Sequence, residues 1–160
     1  MKSKKIVLTG CFGVGKTSLF NRFLYNRFSE QSQATIGVKV DKKVLELGGR
    51  QISMLVWDIA GDMAQEKVPQ SYFLGSSAII YVFDITRPET WANLGQDVQF
   101  LEGLVQGTLI RTVGNKLDLA TPTEQDSLLR QAPGTLLASA KTGENVALLF
   151  QEIGTSLLGQ

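Results

Sequence analysis

A chain of 160 residues with 43% apolar content can bury one sizeable core, and its single cysteine, Cys11, excludes an internal disulfide and fits a reducing compartment. Sixteen basic against fifteen acidic residues leave a net charge of +1, which argues against nucleic acid as a partner. No apolar run reaches membrane-spanning length and no signal-peptide pattern opens the chain, which excludes a bilayer-spanning helix and a cleaved secretory leader from the expectations.

In chain order, Lys2, Lys4 and Lys5 read as a solvated lead-in to a strand. KIVLTG (5–10) is a β-branched run stopped by glycine, and TSLFNRFLYNRF (17–28) sets Leu19, Phe20, Phe23 and Leu24 at helical spacing. The polar SEQSQA (29–34) reads as a loop. VKVDKKVLEL (38–47) and RQISMLVWDI (50–59) flank Gly48-Gly49 and predict an antiparallel hairpin. AIIYVFDIT (78–86) predicts a buried strand, followed by a helix over about 88–104, and TLIRTVGNK (108–116) the next strand. In TPTEQDSLLRQ (121–131), Thr121 as N-cap, Pro122 at the first helical position and Glu124 three residues after the cap make a capping box. TLLASA (135–140) is the last predicted strand and ENVALLFQEIGTSLL (144–158) the last helix. Strands alternating with helices predict an α/β fold with a mainly parallel sheet, and no repeat or linker divides residues 1–160 into more than one domain. The chain opens Met-Lys, which does not fit an N-myristoylation signal, and closes TSLLGQ without a cysteine to prenylate. A soluble cytoplasmic protein with no direct membrane anchor is therefore expected.

Chemistry enters with GCFGVGKT (10–17), which matches G-x-x-x-x-G-K-[ST] between a strand and a helix. Gly13 and Gly15 let consecutive amides point at one spot, and the positive end of the following helix adds to that field. Lys16 offers a point charge to the outer phosphates and the Thr17 hydroxyl a ligand to Mg²⁺. A chance match in such a chain has a probability of roughly 1% or below. The motif says phosphate but does not name the base. NKLD (115–118) follows a strand, at the sheet edge where open α/β folds bind ligands. The Asp118 carboxylate can accept two hydrogen bonds from the N1–H and 2-amino edge of guanine, which adenine lacks. NKLD alone is weak, because these are ordinary turn residues. SAK (139–141), after the next strand, strengthens it.

In this order and spacing, GCFGVGKT, TIG (35–37), WDIAG (57–61), NKLD and SAK resemble the Ras-like small GTPases, the Rab branch more than the others. The resemblance covers essentially the whole chain. It implies the P-loop small G-protein fold, with a six-stranded sheet, one strand antiparallel, helices on both faces, and a switch between GTP and GDP. It also implies residue roles. The amides of Gly13, Val14, Gly15, Lys16, Thr17 and Ser18 cradle the phosphates. Thr17 ligates Mg²⁺ in both states, Thr35 joins it when a γ-phosphate is present, Asp58 holds the ion through water, and the Gly61 amide touches the γ-phosphate. Asn115 bonds N7, Lys116 lies along the base, and the Ala140 amide, between Ser139 and Lys141, meets the guanine O6. Phe28 either lies against the guanine or anchors its loop in the core.

Two residues depart from that pattern. Asp62 stands where most of the family has the glutamine that orients the attacking water, and Phe12 where it keeps a small residue. Both changes are of a kind that slows hydrolysis. The other readings are that Asp62 is a solvated surface acid and that Phe12 turns outward. Gln65 is a substitute for positioning water if its loop folds over the phosphate, which makes the implied catalytic set Lys16, Thr35, Gly61, Asp62 and Gln65. Pro69 fits the first turn of a helix after that loop and limits its rearrangement. The segment between NKLD and SAK is shorter than usual in the family. Residues 29–41 and 61–73 are the expected contact surfaces for an effector, exchange factor or activating protein. A slow GTPase switch is the first reading, and a non-hydrolysing guanine-nucleotide scaffold the second. An ATP-dependent P-loop kinase or ATPase is disfavoured by NKLD with SAK.

Overall fold

The computed structural model describes residues 2–31, 35, 37–61 and 67–160. The apolar runs form one six-stranded sheet. Its strands are β1 (Lys2–Gly10), β2 (Val38–Leu47), β3 (Arg50–Ile59), β4 (Ala78–Asp84), β5 (Leu109–Asn115) and β6 (Leu136–Leu137), in the order β2-β3-β1-β4-β5-β6. All neighbours are parallel except β2 with β3. The helices are α1 (Lys16–Tyr25), α2 (Leu94–Leu104), α3 (Pro122–Gln131) and α4 (Val146–Leu158).

β4 lies between β1 and β5 and is buried at all 7 positions, as an unbroken apolar run in a sheet covered on both faces should be. Ile80 and Val82 join α1 and α4 in one core cluster, which includes the stacked pair Phe23 and Phe150, ring centroids 3.6 Å apart. Ile79, Tyr81 and Phe83 point to the other face and pack with Leu101 of α2 and Leu128 of α3. The predicted α/β fold with helices on both faces is what the chain adopts.

The hairpin falls where the Gly-Gly pair predicts it. Leu47 pairs Arg50, and Gly48 and Gly49 take φ of 57° and 79°, the positive values a two-residue primed turn demands. The Glu124 amide donates to the Thr121 hydroxyl at 3.2 Å, so that cap holds as well. Several boundaries differ. β1 begins at Lys2, so the lysines expected as a solvated lead-in belong to the strand itself, and β4 stops at Asp84 rather than at 86. α1 ends before the expected residue 28 because Asn26 turns left-handed at φ 52°. The helix expected over 88–104 is split into a 3₁₀ turn, Pro88–Thr90, and α2. There the Thr90 hydroxyl bonds the Asp84 and Arg87 carbonyls, a local alternative to the helical ladder. β6 is far shorter than 135–140, since the chain peels away after Ala138 and the Ser139 amide bonds Glu144 instead. Asn145, at φ 63°, delays the start of α4.

The parallel strands β1, β3, β4, β5 and β6 end along the same edge, with Leu8 opposite Asp58, Gly10 opposite Val82 and Asp84 opposite Asn115. Every motif loop therefore leaves from one side of the molecule.

Candidate functional site

At that edge a cleft of about 370 Å³ gathers Gly13, Gly15, Lys16, Thr17, Ser18, Phe28, Thr35, Gly61, Asn115, Lys116, Asp118, Ala140 and Lys141. Three predicted residues stand behind its wall. Val14 buries its side chain in the core and gives its carbonyl to Asn115 Nδ2 at 3.0 Å. Asp58 sits beneath Thr17, and Ser139 beneath Asp118. Asp62 and Gln65 lie outside the described residues, as does Ile36 of the TIG motif.

The phosphate loop is shaped by its glycines. Gly15 precedes α1 at φ 99°, and a β-carbon there would stand 2.2 Å from Asn115 Nδ2. Gly61 closes the opposite wall, where a β-carbon would meet Lys16 Nζ at 2.7 Å and the Phe12 amide nitrogen at 2.8 Å. Lys16, 6% exposed, folds its ammonium onto the Cys11 and Gly10 carbonyls at 2.9 and 3.2 Å. Burial lowers its pKa, with Asp58 and Cys11 acting the other way.

Beside the lysine, three oxygens converge. Thr17 Oγ1 donates to Asp58 Oδ2 at 2.6 Å and lies 2.6 Å from Thr35 Oγ1. Asp58 is fully buried, and its Oδ1 has no hydrogen-bond partner among the described residues. Burial raises its pKa, against the pull of the Thr17 bond and Lys16. Among the described residues no group of three or more His, Cys, Asp or Glu side chains is placed to hold a metal. The donor set here, two hydroxyls and one carboxylate with an orphan oxygen, instead fits Mg²⁺ that takes its remaining ligands from phosphate and water.

At the base end, Asn115 ties two loops together, since its Nδ2 holds Val14 and its Oδ1 accepts the Ala140 amide at 3.1 Å. That is the amide expected at the guanine O6. Asp118 Oδ1 accepts the Ser139 hydroxyl at 2.7 Å, which fixes the carboxylate at the cleft. Phe28 lines the cleft and also packs on the core, so its two readings are compatible. Phe12 is 57% exposed and turned out at the rim. Pro69 leads into a 3₁₀ turn, Gln70–Tyr72, at the start of the segment where a helix was expected.

Four residues of this neighbourhood escaped the sequence reading. Asp84 pairs with Lys116 at 2.8 Å, Arg87 reaches the Phe12 carbonyl at 3.3 Å, and Glu30 meets Lys141 at 2.9 Å. Arg22 braces the Ala140 and Lys141 carbonyls from α1 at 2.8 and 2.5 Å. Only Asp84, a carboxylate closing an apolar strand, carried a readable signal.

A glycine loop between β1 and α1, opening on a cleft at the carboxyl edge of a mainly parallel sheet, defines a P-loop nucleotide-binding protein of the small G-protein type. A model of the Ras family matches residues 5–158, and the chain belongs to that family. It is 35% identical to the Ras-related protein Rab-25 of Mus musculus over 156 residues, 93% of this chain and 73% of that protein. It is 34% identical to the Ras-related protein Rab-30 of Homo sapiens over 163 residues, 98% of this chain and 80% of that protein. The chain is thus a Rab-like, GTP-binding small GTPase.

Proposed function

We propose that the cleft binds GTP and GDP with Mg²⁺ and that the chain is a cytoplasmic, single-domain switch that hydrolyses GTP slowly. The observation that carries this is the convergence of Thr17, Thr35 and Asp58 beside Lys16 and Gly61, in the same cleft as Asp118. Phosphate, metal and base recognition then lie along one ligand. Amides from Gly13 to Ser18 and the Lys16 ammonium receive the phosphates. Thr17, Thr35 and Asp58 would hold Mg²⁺, which supplies charge neutralisation at the β- and γ-phosphates when bound. Asp118 selects guanine, because a base without the N1–H and 2-amino donors leaves its carboxylate unpaired. The Asn115 amide faces N7, the Ala140 amide the O6, and Phe28 and the Lys116 stem flank the ring.

Slow turnover follows from Asp62. A carboxylate accepts hydrogen bonds and cannot donate one to the γ-phosphate, and its charge is repelled by the phosphoryl oxygens. Thr35 and Gly61 are described residues that would respond to the γ-phosphate, so segments 29–41 and 61–73 are the proposed surfaces for effectors and regulators. Denaturing the purified protein and separating the released nucleotide by chromatography tests the base assignment. GDP or GTP is expected, and adenine nucleotides in their place would refute it. Single-turnover phosphate release then separates a slow GTPase from a non-hydrolysing scaffold.

A further inference from the structure

Asp84 closes β4 with no solvent exposure. Its Oδ1 accepts the Thr86 amide at 2.9 Å and the Thr86 hydroxyl at 2.6 Å. Its Oδ2 is also buried and makes no directed hydrogen bond, but Lys116 Nζ stands 2.8 Å away. A carboxylate taken out of water is strongly unfavourable without an opposite charge. Lys116 meets that need at some backbone cost, holding φ at 70° in the left-handed region. The pairing is built into the sheet, since Asp84 lies opposite Asn115 and the lysine follows directly.

The backbone amide of the same residue anchors a turn that reaches the other half of the cleft. The Asp84 amide donates to the Thr90 hydroxyl at 3.0 Å, and that hydroxyl donates to the Arg87 carbonyl at 2.8 Å. The Arg87 guanidinium in turn holds the Phe12 carbonyl of the phosphate loop at 3.3 Å. Base loop and phosphate loop thus meet at one buried residue behind the cleft, the first through the Asp84 carboxylate and the second through its backbone amide.

On the reading of this cleft as a guanine-nucleotide site, we propose that Asp84 is a positioning residue for it and that the Lys116 ammonium serves as its counter-ion. The lysine then offers the base its aliphatic stem, and its charge is directed inward. Removing that charge harms binding mainly by stranding the carboxylate, so neutralising Asp84 as well should restore it.

A double-mutant cycle tests this on the full chain, stripped of nucleotide and titrated with a fluorescent GDP in the presence of Mg²⁺. The proteins are wild type, D84N, K116M and D84N/K116M, each also melted thermally. K116M is expected to bind about thirtyfold more weakly and to melt earlier, while D84N/K116M returns to within about threefold of D84N. Equal losses from K116M in both backgrounds would show that the charge acts on the nucleotide and overturn the proposal. So would recovery of the melting temperature without recovery of affinity, which is what a purely structural pair would give. If K116M does not fold, D84N against D84N/K116M decides alone, with about threefold or less supporting and about thirtyfold overturning. A folded wild type that binds no GDP would instead remove the nucleotide-site reading, and this proposal with it.

Discussion

Asp58 enters the core on β3 with one oxygen unsatisfied, an arrangement that costs stability unless a cation offsets it. Burial raises its pKa, so the folded chain binds a proton that the unfolded chain has released. Its contribution is therefore fully present below the unfolded carboxylate value and is lost as pH rises through the folded one. Stripped of nucleotide and metal, Asp58→Asn should melt higher than wild type at neutral pH, by about 2–4 °C per kcal/mol recovered, with the gap closing in acid. The same variant should lose the Mg²⁺-dependent part of GDP affinity. Parallel melting curves across pH would refute the burial argument. At Gly15 the conflict is steric, since a β-carbon would strike Asn115 Nδ2 at 2.2 Å in a left-handed backbone. Gly15→Ala should weaken GDP about tenfold or more in equilibrium titration, by displacing the amide that joins Val14 to Ala140.

At the scale of elements, local pattern decided most of what could be read. Continuous burial made β4 legible, and Gly48-Gly49 fixed the hairpin to the residue because both its turn and its alternation are local. The split before α2 was not legible, since it depends on where the Thr90 hydroxyl finds carbonyls. The site divides the same way. Phosphate and base loops are contiguous motifs, whereas Arg22 with Ala140 and Arg87 with Phe12 join positions 118 and 75 residues apart. No periodicity encodes such pairs. Gly154 of α4 shows tertiary packing overruling propensity. Alanine in a helix interior gains about 1 kcal/mol over glycine, yet here its β-carbon would stand 2.6 Å from Leu47 Cδ1 and 3.0 Å from Met54 Cε. Overpacking of this kind costs about 1–3 kcal/mol, and both the Leu47 and the Met54 side chains must shift to admit the methyl group. Gly154→Ala should lower the melting temperature by about 2–4 °C for a net loss of about 1 kcal/mol. A rise would mean that α4 sits more loosely on the hairpin than these distances require.

Hydrolysis belongs to the whole molecule, because the groups it needs leave different strands and meet only at the assembled sheet edge. Lys16 follows β1, Gly61 follows β3, and Thr35 comes from the segment before β2. Asp62 follows Gly61 directly in sequence. In the family's mechanism a neutral amide at this position donates to the γ-phosphate and accepts from the attacking water, and a carboxylate can do only the second. Acting as a base would help little, since phosphoryl transfer gains mainly from positioning and charge neutralisation. Asp62→Gln should therefore speed single-turnover GTP hydrolysis, by about tenfold or more if positioning is the missing part. Phe12 sets the condition. It is 57% exposed and lines the cleft, so its ring is a bulk that an added amide side chain has to share space with. Phe12→Gly alone should change little, because Asp62 still lacks the donor, while Phe12→Gly with Asp62→Gln should be the fastest of the four proteins. Slower hydrolysis by Asp62→Gln in both backgrounds would make Asp62 a catalytic group and reverse this assignment.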